Sequence, residues 1–305
     1  IGSKMANQAV SLVGREAPLV QVEEHHTGNT HENIVGKVSA LPSPVAGTVH
    51  KISKGEMQIK GVDGNIHTLE MYDEYPTNDP KSMINHEPIV EVGQYVKKGQ
   101  ILADSNYTRN GTLALGTNLR VGYLPMRGYN YEDGVVISRS ASDKMTSQHL
   151  YTIKRDCAVS IGTKVTGAIA DKLEDQAVVI SKDFFKVMAP RSAALYKNFN
   201  GIDDEGVVKK GQEVHKGDIL IAACRRADHD PSRANLMRST RIKSSWRGAE
   251  ITWDKDCPTT VTRVIKMGKE VKVFVRTEEP MKIGDKLVGR YGNKGIVTKI
   301  LENHE

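Results

Sequence analysis

"VGQYVKKGQILAD", Val92 to Asp104, returns later in the chain as "KGQEVHKGDILIA", Lys210 to Ala222, and in shortened form as "EPMKIGDKLVG", Glu279 to Gly289. The shared element is an apolar residue with a lysine close behind it, then Gly followed by Asp or Gln, then an apolar strand. Its physical content is a tight glycine turn that delivers a strand into a sheet, repeated wherever a new strand enters. Three copies at unequal spacing do not make a solenoid. They predict small barrels built from similar loops.

The rest of the chain agrees. Short runs rich in Val, Ile, Thr and Tyr, such as "GTVHKI" (47–52), "VVIS" (135–138), "KVFVRT" (272–277) and "GIVTKI" (295–300), alternate with Gly, Asn and Asp clusters. Helical periodicity is confined to "AIADKLEDQ" (168–176) and "DFFKVMAPRSAALYKNF" (183–199), where Pro190 breaks or starts a helix. The expected fold is mainly β.

With 305 residues the chain can hold one large or two ordinary domains. A net charge of +6 and a pI near 9.0 suit a polyanionic partner without demanding one. Cys157, Cys224 and Cys257 are odd in number, scattered and outside any CxxC pair, which argues against a disulfide framework or a zinc knuckle. No run of about 18 apolar residues is present, and "IGSKMANQAV" lacks the apolar centre of a signal peptide. The expected location is the cytoplasm. The chain begins without Met and ends directly after a strand-like run, so it is read as a piece of something larger.

"MKIGDKLVGRYGNKG", Met281 to Gly295, places three lysines, one arginine and four glycines together. Lys286 and Lys294 lie eight positions apart with Gly289 and Gly292 between them, so the chain can fold back and present both amines to one anion. An ordinary basic hairpin explains the same spacing. Neither "GRYGNKG" nor "IGDKLVG" supplies a Walker loop, which disfavours an ATPase. In "RGYNYEDGVVIS", Glu132 and Asp133 stand before an apolar strand, where alternation sends neighbouring side chains to opposite faces. Such a pair can reach a magnesium held mainly by other groups, or can simply solvate a strand end. His25, His26 and His31 sit in a polar stretch and receive no role, and no Ser/His/Asp arrangement is legible.

Two resemblances follow from these stretches. "SPVAGTVHKI" (43–52) with the turn after it is similar to the barrel-sandwich hybrid of biotinyl and lipoyl carrier domains, yet the modifiable lysine is missing, because "GQILAD" runs into "SNYTRNG". The longer resemblance is to the β subunit of multisubunit DNA-directed RNA polymerases. "GQILADSNYTRNGTLALGTNLRVGYLPMRGYNYEDGVVIS" (99–138), "MKIGDKLVGRYGNKGIVTKI" (281–300), "NQAVSLVGREAPLV" (7–20) and "AALYKNFNGIDDEGVVKKGQEVHKGDIL" (193–220) resemble stretches of that subunit in the same order.

That resemblance implies a double-psi β-barrel with barrel-sandwich-hybrid-like and flap-like parts. Residues 1–140 would hold the first part of the double-psi barrel and the barrel-sandwich-like region, 141–270 the flap-like region, and 271–305 the second part of the barrel with the lysine loop. Lys286 and Lys294 match the family's two lysines beside the RNA 3′ end and the incoming nucleotide, implying catalytic and RNA-binding roles. Gln8 matches a glutamine near the nascent RNA. Glu132 and Asp133 match an acidic pair near the second Mg²⁺, while the primary Mg²⁺ would be held by an aspartate triad of a β′-type partner, since this chain has no NADFDGD.

The implied partners are that β′-type subunit, the remaining β-type sequence, template DNA, nascent RNA, nucleoside triphosphates and, at the flap, an initiation factor; a membrane is not among them. Tyr291 stands where the family has His, and Tyr131 where it has Phe; the flap tip around "ADHDPSRANLMRSTRIKSSWRG" is short and basic. The two tyrosines suggest an unusual lineage, while a split subunit of the kind some large bacteriophages encode, or an excised fragment, would explain the size and the termini. A noncatalytic nucleic-acid-binding barrel and a carrier domain are the two competing readings.

Overall fold

The computed structural model describes residues 8–77, 81–163, 177–181, 183, 185–186, 189, 199, 201–226 and 246–304. Strands dominate them: 23 are found, against two bounded helices of six residues each, so the protein is mainly β. Both helices fall where helical periodicity was not expected. His31–Gly36 starts at a capping box in which Thr30 accepts from the Asn33 amide and Asn33 answers the Thr30 amide; Arg139–Lys144 starts at Ser138, which accepts from the Ala141 amide. Elements this short carry too few residues to show a 3.6-residue pattern, and their caps decide them. The segment 168–176 lies outside the described residues. So does most of 183–199, although the Ala189 amide bonds the Phe185 carbonyl with helical spacing.

Two compact units divide the chain, one formed by Ile1–Leu150 with Glu278–Glu305, the other by Tyr151–Thr277. In the first, Ile66–Glu70, Glu56–Gly61, Gly47–Ser53 and Tyr95–Val96 make an antiparallel sheet in that order. Alternation buries Val49, Met57, Ile59 and Val96 almost completely, and each such side chain contributes about 1.5–3 kcal/mol. Gly47 faces Gly61 because a Cβ on Gly47 would lie 2.3 Å from the Lys60 carbonyl oxygen. Leu41–Pro42, Ile101–Ser105 and His86–Pro88 form a second sheet. Near the end of its central strand lies buried Asp104, whose carboxylate accepts from the Asn110 amide (2.6 Å), the Gly111 amide (2.7 Å) and Thr108 Oγ1 (2.9 Å).

A third sheet of this unit has the order Gly134–Ser138, Lys294–Leu301, Lys286–Val288. The first pair is parallel and the second antiparallel. Leu12, Ile137, Met145 and Val297 form its core. The segment bearing Leu12 reaches it by lying along the start of the strand Ser147–Asp156, with Val13 bonded to Thr146 and Gln148 bonded to Ser11.

The second unit has its own core of fully buried side chains, among them Val207, Leu220, Ile221, Val261, Val273 and Val275. Thr259–Met267 pairs with Glu270–Glu279 and with Glu213–Val214 there. Burial pushes the Cys224 thiol up to about 12, a value the nearby Glu250 charge also raises.

The recurrent motif is one turn used five times. Gly93, Gly99, Gly211, Gly217 and Gly284 have φ between +80° and +95° at the third turn position, which defines type II. In each, the next residue bonds back to the first, as from the Gln100 amide to the Lys97 carbonyl (3.1 Å) and from Asp285 to Lys282 (3.1 Å). In four of them the Gln or Asp after the glycine also accepts from the first residue's amide: Gln94 from Glu91, Gln100 from Lys97, Asp218 from His215 and Asp285 from Lys282. Every turn glycine donates to a neighbouring segment, Gly99 to Ser43, Gly217 to Trp253 and Gly284 to Val297 among them, at 2.7–2.8 Å. That explains Gly followed by Gln or Asp in the sequence. Among the described residues, no helix is long and apolar enough to cross a membrane.

Candidate active site

Pairing in the third sheet decides what the two lysines do. Lys286 lies opposite Ile296 and Val288 opposite Lys294, so Lys286 and Lys294 occupy diagonal positions on one face of the hairpin. Such positions are about 7–8 Å apart. That face is exposed and carries Val288, Ile296 and Thr298, while Gly295 and Val297 point inward. Gln8 completes the group from the far end of the chain: Lys286 Nζ donates to its Oε1 at 3.3 Å.

The glycines have separate tasks. Gly284 and Gly292 supply positive φ at the two turns flanking Lys286 and Lys294. A Cβ on Gly289 would collide with the Asn293 side chain at 2.1 Å, and one on Gly295 would meet Val135 Cγ2 at 2.6 Å and the Asp133 carbonyl oxygen at 2.7 Å. Gly295 is therefore one point at which the lysine strand packs against the segment bearing the acidic pair.

That segment is fixed by its own bonds. Asn130 accepts from the Met126 amide (2.8 Å) and donates to the Leu124 carbonyl (2.6 Å), while Thr298 Oγ1 donates to the Tyr129 carbonyl (2.5 Å). The Ile296 amide donates to the Asp133 carbonyl (2.9 Å). Lys299 Nζ lies 5.4 Å from the centre of the Tyr129 ring, a cation–π distance. Glu132 has φ +52°, and the strand begins only at Gly134. The alternation expected of a strand entrance thus does not reach Glu132 and Asp133, which are both exposed in the turn beside Gly295.

Arg290 and Glu32 were not singled out from the sequence. Arg290, in the tip of the lysine hairpin, pairs with the carboxylate of Glu32, which is buried to 7% exposure on the helix His31–Gly36. They are 258 positions apart, and local pattern carries no signal of such a contact. Among the described residues no group of three potential metal-ligating side chains occurs. His25 and His26 are exposed with ring centres 4.0 Å apart, and His31 opens the helix instead of joining them in a loop.

A largely β fold presenting paired lysines and an acidic turn defines a candidate anion-handling site, and comparison with known proteins supplies its family. Residues 43–305 match RNA polymerase Rpb2, domain 6, and the chain belongs to that family. Across its whole length it is 28% identical to the DNA-directed RNA polymerase subunit beta of Prochlorococcus marinus (strain MIT 9312). Identity is 30% to the subunits beta of Heterosigma akashiwo and Chaetosphaeridium globosum, again over the whole chain. It spans only 26–28% of the length of these relatives.

Proposed function

We propose that this chain is a β-type portion of a DNA-dependent RNA polymerase and that the face shared by Lys286, Lys294 and Gln8 holds the RNA 3′ end and the incoming nucleoside triphosphate. Support comes chiefly from one observation: two lysines, fixed on one exposed hairpin face with Gln8 bonded to one of them, in a chain of this family. On this reading the third sheet belongs to a double-psi barrel, the sheets around Val49 and Leu102 to a barrel-sandwich-like region, and the Tyr151–Thr277 unit to a flap.

In the proposed reaction the RNA 3′ hydroxyl gives up its proton to solvent and attacks the α-phosphorus, a new phosphorus–oxygen bond forms, and pyrophosphate leaves with the electron pair of the broken bond. Negative charge gathers on the α-phosphoryl oxygens and on the leaving group. Lys286 and Lys294 are compact cations with three donors each, suited to phosphate oxygens, and a preorganised hairpin lets them act without reorganising. Gln8 holds the Lys286 amine in place.

The donor set of Glu132 and Asp133 fits Mg²⁺ in part: two exposed hard carboxylates suit an ion that keeps its waters and takes most ligands elsewhere. They would hold the water shell of the metal that arrives with the triphosphate. Bound magnesium would supply charge neutralisation at the attacking and leaving oxygens. The primary ion, template DNA and the rest of the site would come with a β′-type partner and the remaining β-type sequence.

The test is single-nucleotide extension of primed RNA by the enzyme assembled with its partner subunits, comparing Lys286→Ala and Lys294→Ala with the unaltered chain. Each substitution is expected to slow extension by roughly 100-fold or more, the effect of deleting one preorganised charge-stabilising donor. Unchanged extension with both lysines replaced, alongside salt-sensitive RNA binding, would leave only a noncatalytic nucleic-acid-binding module.

A further inference from the structure

We infer that Arg290 is a positioning residue: its guanidinium, seated on the buried Glu32 carboxylate, sets the height of the hairpin tip and thereby the placement of Lys294 and Lys286. The inference rests on the role proposed for these lysines.

The hairpin needs an external support. Its two strands share three residue pairs, Lys286↔Ile296, Leu287↔Gly295 and Val288↔Lys294, and the third strand, Gly134–Ser138, joins only from Ile296 onward, so it does not reach the tip. Val288 and Ile296 are 40% and 50% exposed, and Tyr291 at the tip is 86% exposed, so these apolar side chains anchor the tip poorly. Within the tip, Gly289 bonds Asn293 and Gly292 bonds Gly289, which closes the turn without tying it to anything else. The pairing of Arg290 with Glu32 makes that tie.

Its base is firm. The second oxygen of Glu32 accepts from the Val22 amide at 3.1 Å. The helix beneath carries its capping box, and Asn33 Nδ2 donates to Thr112 Oγ1. A Cβ on Gly36 would come within 2.2 Å of the Gly111 carbonyl oxygen, so helix and loop touch backbone to backbone, and Gly111 is itself bonded to buried Asp104. A planar guanidinium holds a carboxylate in a fixed orientation, which a lysine does not. The lysine hairpin is thus connected through Arg290, Glu32, Asn33 and Thr112 to the Asp104 turn.

Extension kinetics of the assembled enzyme test this with Arg290→Met and Arg290→Lys, each made in the unaltered chain and in Lys294→Ala. Since a shift of about 1 Å can cost up to 100-fold, Arg290→Met is expected to lower kcat roughly tenfold or more with the KM for nucleotide little changed. Arg290→Lys should recover part of the loss. In Lys294→Ala the same Arg290→Met change should cost clearly less than in the unaltered chain, because one of the two amines it places is gone. Equal losses in both backgrounds, or none in the unaltered chain, would overturn the inference while leaving the lysine reading in place. Full activity of Lys294→Ala would instead overturn that reading and this inference with it. A second measurement covers poor folding: amide exchange in folded Arg290→Lys should quicken at Gly289 and Gly292 and not at Met57 or Ile59, and unaltered exchange at the tip would refute the strut.

Discussion

At Gly295 any side chain would press on both Val135 and the Asp133 carbonyl, whereas at Gly292 the surrounding space is open and only the backbone angle of +89° requires glycine. A motif that reads as uniform flexibility is therefore two requirements, close approach at one position and left-handed backbone at another. Charged residues divide similarly. Glu16 accepts from the Asn118 amide and pairs with Lys144 at 2.8 Å, and the Lys144 hydrogen bond, followed by that amide, holds its pKa down at about 2 from an ordinary 4.5. A depressed carboxylate stabilises the fold fully above its unfolded pKa and loses that contribution as pH falls through the folded one. Acid unfolding should accordingly show a component between pH 4.5 and about 2 that Glu16→Gln removes. Because Glu16 is 37% exposed, solvent screening limits this component to below about 1 kcal/mol. Thermal unfolding of both proteins across that range measures it.

At the scale of elements, the glycine turn is the part most legible in sequence, because its determinants are local: a residue tolerating positive φ, then a side chain able to bond back. Gly99 and Gly217 have φ +80° and +90° with open space around a Cβ, so alanine there adds backbone strain alone. Each replacement should cost about 1–2 kcal/mol in denaturant unfolding. Gly116, which has no positive φ and nothing near its Cβ, should tolerate alanine at little cost. The mainly β character was legible for the same local reason. The helices His31–Gly36 and Arg139–Lys144 were not, since six residues held by a cap show no periodicity. Spacing alone allowed Lys286 and Lys294 to share a side, but the register that places them diagonally depends on the turn at Gly292. The alternation argument failed at Glu132 because positive φ removes that residue from the strand.

At the scale of the molecule, contacts far apart in sequence build the candidate site: Gln8 meets Lys286 across 278 positions and Glu32 meets Arg290 across 258. Such contacts follow from topology, so the motifs announced the family while the geometry had to come from the fold. The chain covers about a quarter of its relatives' length, and the chemistry proposed requires the groups its partners would bring. The most direct measurement is a structure of the assembled enzyme holding primed RNA and a nonreactive nucleoside triphosphate. The account predicts the Nζ atoms of Lys286 and Lys294 within about 4 Å of oxygens at the RNA 3′ end or on the triphosphate. Finding both amines facing solvent, or neutralised by carboxylates away from the nucleotide, would contradict it.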